Sequence, residues 1–76
     1  MAERLVNARG MRCPQPIVET ARAVNAAAEL DIIIVEATDE GFFRDIKAWC
    51  AKTNNELVSL ENRLGVYRAV IKKIGR

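Results

Sequence analysis

No histidine occurs among the 76 residues, and there are only two cysteines. Imidazole acid–base catalysis is therefore excluded. So is a Cys₂His₂ or Cys₄ zinc site built by one chain, since such sites need three or four nitrogen or sulfur ligands. Aromatic residues are equally scarce, with two Phe, one Tyr and one Trp. Long hydrophobic runs are missing: the longest, Ile32 to Val35, is far too short to span a bilayer, and "MAERLVNARG" holds no stretch of signal-peptide length. A cytoplasmic location and no membrane contact are expected on that basis. A charge excess of one sign is also lacking. Twelve basic and ten acidic residues give +2, too little and too scattered to argue for nucleic acid by itself.

A chain this short is expected to be a single domain, residues 1–76, able to bury only about 60% of its unfolded surface. That leaves no room for a deep substrate cavity. The order of signals is strand, helix, strand, helix, strand, strand. Glu3 to Ala8 reads as a short strand stopped by Arg9-Gly10. Pro14 suits a first helical position, and Ile17, Ala21, Val24 and Ala28 then recur at the spacing of one buried helix face. Leu30 to Ala37 is a β-branched run that suits a central strand.

Asp39 is expected to cap a second helix with the apolar stripe Phe42, Ile46, Trp49, Cys50 and Thr53, ended by Asn54-Asn55. "ELVSLE" and "GVYRAVIKKI" then form an antiparallel hairpin around "ENRLG". Right-handed crossovers make this a two-layer α+β sandwich, βαβαββ, with a four-stranded mixed sheet and both helices on one face. In it Cys13 lies beside the Asp39 loop, at the end where both helices begin. Cys50 is expected to pack in the core.

The two prolines, Pro14 and Pro16, flank Gln15 immediately after Cys13, in "RGMRCPQP". Read as the helix N-cap, Cys13 faces a sparse first turn in which Gln15 offers the obvious N–H to sulfur. The helix start carries about half a positive charge, Arg9 and Arg12 flank the thiol, and no acid lies between Glu3 and Glu19. Each local feature is expected to favour thiolate, the nucleophilic form. No second cysteine stands within the loop to resolve a disulfide, as in a Cys-x-x-Cys redox motif. Isolation suits a sulfur that must hold a cargo, because a neighbouring thiol would expel a bound sulfur atom as sulfide.

"RGMRCPQP", "TDEGFFRDIKAWC" and "GVYRAVIKK" together resemble the TusA, or SirA-like, family of sulfur carriers over nearly the whole chain. Arg9, Gly10, Cys13, Pro14, Pro16, Asp39, Arg44, Asp45, Ile46, Cys50 and Tyr67 stand at matching places. The resemblance implies a βαβαββ sandwich and sulfurtransferase work as a persulfide carrier on Cys13, without a cofactor or metal. It also implies a cysteine desulfurase or rhodanese-like donor and a downstream sulfur-accepting protein, in relays serving tRNA thiolation, molybdenum cofactor or sulfur metabolism. Arg9, Gly10, Arg12, Pro14, Gln15 and Pro16 would support the thiolate and its loop, while Asp39, Phe43 and Arg44 would meet partners. Asn7 replaces the usual aspartate, Glu40 a proline, and Phe42-Phe43 smaller residues; Phe43 either contacts a partner or packs at the sandwich edge.

Two rivals share parts of this pattern. Small βαβαββ sheets also bind RNA, and Arg4, Arg9, Arg12, Arg68, Lys72, Lys73 and Arg76 could form a basic face. Nucleic acid is not the expected partner, because the aromatics fall mainly at core positions and leave no stacking platform. The other rival is a thiol redox regulator, with the same reactive cysteine and no sulfur cargo.

Overall fold

The computed structural model describes residues 2–74. Its elements are β1 (Glu3–Ala8), α1 (Gln15–Ala26), β2 (Ile32–Ala37), α2 (Gly41–Thr53), β3 (Glu56–Arg63) and β4 (Val66–Lys72). They form one sheet in the order β1-β2-β4-β3, with both helices packed on the same face. β1 and β2 run parallel; β2 with β4 and β3 with β4 run antiparallel. The expected two-layer α+β sandwich with a mixed four-stranded sheet is therefore the observed fold.

β-branched residues build the central strands because they pack well on a pleated surface. Ile33, Val35 and Ala37 of β2 and Ala69 and Ile71 of β4 point to the helices and meet Val24, Phe42, Ile46 and Cys50 in the core. Alternate residues form the opposite face, where Leu5, Ile34 and Val70 lie in register across three strands. That row holds no aromatic side chain. Phe42 is buried under α2, and Trp49 and Tyr67 pack against the core, so the stacking surface an RNA-binding sheet would need is not built.

Helix α2 carries the expected stripe, with Phe42, Ile46 and Cys50 buried and Trp49 and Thr53 half-buried. It ends at Asn54, whose left-handed φ of 61° suits asparagine. Helix α1 differs from expectation by one position. It starts at Gln15 with Pro14 as the N-cap residue, and it buries Pro16, Thr20, Val24 and Ala27 instead of Ile17, Ala21, Val24 and Ala28. Thr20 can be buried because its hydroxyl donates to the Pro16 carbonyl at 2.8 Å. A polar residue thus occupies a face that hydropathy alone assigns to its neighbour.

The expected second strand loses its first two residues to a turn, in which Leu30 has a φ of 73°. Asp31 ties this end of the molecule together. Its carboxylate accepts from Ala28 N–H and from Ala2 N–H, both at 2.9 Å, and these bonds hold its pKa below the usual carboxylate range. Lys73 Nζ donates to the Ala27 carbonyl at 2.7 Å, satisfying a helix terminus. At the opposite end β3 turns into β4 through Leu64-Gly65, both at positive φ, as a two-residue hairpin requires.

Candidate functional site

Parallel strands β1 and β2 both end at the same edge of the sheet, and the loops that follow them meet there. Ala8 leads into a turn closed by the Met11 N–H donating to the Ala8 carbonyl at 3.2 Å. Gly10 stands in it at a φ of +82°, which a side chain would strain. The Gly10 N–H in turn donates to Thr38 Oγ1 at 2.9 Å, fastening the first loop to the second. Asn7 Oδ1 accepts from the Arg9 N–H and Nε, each at 3.2 Å. The side-chain oxygen alone serves this turn, so the amide performs it without a negative charge.

Cys13 follows, exposed, joined to Pro14 through a cis peptide. Its surroundings correct two expectations. Gln15 N–H donates to the Arg12 carbonyl at 2.8 Å, not to sulfur, and the Ile17 and Val18 N–H groups donate to the Pro14 carbonyl. The Arg9 guanidinium reaches Glu36 at 3.4 Å and Asn7, so its charge is directed along the sheet. The Gln15 side chain turns along the helix to Glu19, 2.8 Å away.

The thiol meets an acid instead. Cys13 Sγ–H donates to Asp45 Oδ2 at 3.2 Å, and this bond raises the thiol pKa. Partial desolvation and the charges of Asp45 and Asp39 push it the same way, while Arg44 opposes them. The free structure therefore favours the neutral thiol, not the thiolate expected from the flanking arginines. The cause lies in topology: Asp45 is 32 positions away in sequence and arrives on the first turns of α2.

The start of α2 lies beside the cysteine. Glu40 is the N-cap residue, without a side-chain cap, and Asp39 contributes from one position earlier: its Oδ2 accepts from Gly41 N–H at 3.0 Å and its carbonyl from Phe42 N–H at 3.1 Å. A side chain at Gly41 would crowd Asp39 Oδ2 at 3.0 Å and would be in ordinary contact with Cys13 Cβ at 4.0 Å, so glycine here eases the Asp39 turn. Phe43 is half-buried, edge-on to Tyr67 with ring centres 5.6 Å apart and with Lys47 Nζ 4.7 Å from its own. It packs at the edge of the sandwich. Because Ala37 faces Tyr67 in the register, the β3–β4 turn lies at this same end, and Leu64 at its tip is fully exposed.

Cys13, Asp39, Arg44 and Asp45 are thus brought together; Arg12, Pro14 and Gln15 are exposed around them, and Pro16 is buried beneath. Asp45 and Thr38 are the site residues that sequence reasoning left out, although Asp45 stood in the motif "RDI". Cys50 is buried, as expected, and burial pushes its thiol up to about 11. It sits nine residues along α2 from Gly41, about 13 Å at the helical rise. Among the described residues no helix is long and apolar enough to cross a membrane.

Known proteins resemble this chain in sequence and in fold. The family described as "Sulfurtransferase TusA" matches residues 4–73. The Sulfur carrier protein TusA of Allochromatium vinosum is 34% identical over 68 residues, covering 90% of each chain. A putative sulfur carrier protein of Archaeoglobus fulgidus is 31% identical over 92% of this chain and 96% of its own length. A putative sulfur carrier protein of Aquifex aeolicus is 35% identical over 93% of this chain, which spans only 36% of that longer protein. Among solved structures, a SirA-like protein from Desulfitobacterium hafniense shares the fold, with a TM-score of 0.82 at 14% identity, over 93% of this chain and 97% of that one. With a family match across nearly its full length, the chain belongs to the TusA family of sulfur carriers.

Proposed function

We propose that the protein carries sulfane sulfur as a persulfide on Cys13, receiving it from a cysteine desulfurase or rhodanese-like enzyme and passing it to an acceptor protein. The observation that carries this reading is the contrast between its two thiols. Cys13 is exposed at the meeting point of two loops, and Cys50 is buried in the core. An arriving sulfur atom finds one accessible thiol and no neighbour to expel it.

Transfer needs no change of net oxidation state. The Cys13 sulfur attacks the outer sulfur of the donor's persulfide, the donor's S–S bond breaks, and the donor's thiolate leaves. The Cys13 proton passes to that leaving thiolate, so a donor persulfide and a Cys13 thiol become a donor thiol and a Cys13 persulfide. Delivery repeats the exchange with Cys13 as the leaving group. The chain acts as a sulfurtransferase only in company, since it holds the cargo and its partners supply the remaining groups. The accessible partner surface is the Cys13 end, with Arg12, Asp39 and Arg44 exposed or half-exposed near the thiol and Leu64 exposed at the same end of the sheet.

The test is to incubate wild type, Cys13→Ala and Cys50→Ala with a cysteine desulfurase and cysteine and record intact masses. Wild type and Cys50→Ala should gain one sulfur atom that a reductant removes. Loading that survives Cys13→Ala would sink the proposal.

A further inference from the structure

We propose that Asp45 determines which sulfur donors Cys13 reacts with, capping the thiol until a positively charged group arriving with the donor engages the carboxylate. This rests on Cys13 being the sulfur-bearing thiol and goes beyond it, because the family assignment says nothing of how the thiol is restrained.

The geometry is specific to one carboxylate. Asp45 Oδ2 accepts the Cys13 S–H at 3.2 Å, whereas Asp39 Oδ2 is engaged with the Gly41 N–H at 3.0 Å. Gly41 leaves open the space between them: a side chain there would come within 3.7 Å of Asp45 Oδ2. Asp45 is half-buried, so its charge is screened less than that of a fully exposed acid. The charged groups facing the thiol are Asp45 and Asp39, which disfavour its ionisation, and Arg44, which favours it. A thiol held this way reacts slowly with stray electrophiles and oxidants, because the thiolate is the reactive form. A cation that pairs with Asp45 removes the acceptor and its negative charge at the moment the donor's sulfur is in place. An anionic donor gains nothing from the same carboxylate and is repelled by it.

Small disulfides of different charge test this without any sulfur cargo, so its failure is separable from failure of the carrier reading. In each, the Cys13 thiolate attacks one sulfur and the other leaves as a thiolate, placing half the probe on the protein. Rates are measured at pH 7 and low salt with dicationic cystamine and neutral bis(2-hydroxyethyl) disulfide, and the adduct is located on the tryptic peptide Cys13–Arg22. Asp45→Asn should accelerate the neutral probe severalfold. It should also cut the ratio of cystamine rate to neutral rate by about fivefold, the upper end of what an exposed ion pair contributes. Asp39→Asn should leave most of that ratio intact. An unchanged ratio in Asp45→Asn, or an equal loss in Asp39→Asn, would overturn the proposal. If Asp45→Asn does not fold, Asp45→Ser is measured in its place against Asp39→Asn, with the same supporting and overturning outcomes.

Discussion

At the residue scale the two cysteines have the same chemistry and opposite settings. Cys13 is solvent-exposed with a carboxylate on its S–H, and Cys50 is enclosed by apolar side chains. Both thiols are shifted upward, Cys13 by its acid and Cys50 by burial, to about 11. Alkylation rate follows the thiolate fraction, so the iodoacetamide pH–rate profile of Cys13 should have its midpoint above the ordinary cysteine value of about 8.5. Asp45→Asn should move that midpoint to lower pH. Native protein should take up one label and protein in strong denaturant two. The sequence signals around Cys13 were real but incomplete. Gly10, the prolines and the isolation of the thiol are local features and could be read from adjacent letters. Asp45 could not, because its contact with Cys13 exists only once β1 and β2 are parallel neighbours and their following loops meet. The arginines misled for the same reason: Arg9 is four residues from Cys13 in sequence, yet its partner is Glu36 across the sheet.

At the element scale the strands and α2 were legible because their patterns have one reading. β2 is β-branched over too few residues for a helix, and the α2 stripe repeats at helical spacing from Phe42 to Cys50. Helix α1 was legible as a helix but not in its rotation, since alanine is compatible with either face and the buried Thr20 hides its hydroxyl in a bond to its own helix. The buried faces set the energetics. Ile46→Ala or Ile33→Ala should cost about 2–5 kcal/mol, measured by urea unfolding, because each side chain is fully enclosed. In a domain this small such a loss approaches the whole stability. Gly10→Ala should cost about 1–2 kcal/mol through its positive φ alone, since the space around it is open. A neutral outcome there would mean that the loop, not Gly10, adapts.

At the scale of the whole molecule, one end of the sandwich is fastened by side-chain bonds and the other presents the exposed thiol. Asp31 and Lys73 fasten the first, where helix α1 ends and the chain enters β2. Asp31 is held below its usual range, so its contribution is fully present above the unfolded value of about 3.9 and is lost as pH falls through its lower folded value. Asp31→Asn should remove part of the acid-side slope of stability while leaving stability at pH 7 lower. On the alkaline side the sign reverses: Cys50 stays neutral when folded, so stability should decline from about pH 9 towards 11, and Cys50→Ser should flatten that decline. The Cys13 end has its own buried support in Ala8, Pro16, Ala37 and Phe42, and the thiol stands exposed above it. There, on Cys13, the cargo sulfur is proposed to sit. Wild-type protein loaded by a cysteine desulfurase with cysteine, alkylated and digested with trypsin, tests it most directly by peptide mass. One added sulfur atom is predicted on the peptide Cys13–Arg22. An added sulfur on the Cys50 peptide Ala48–Lys52, or on neither, would contradict the account.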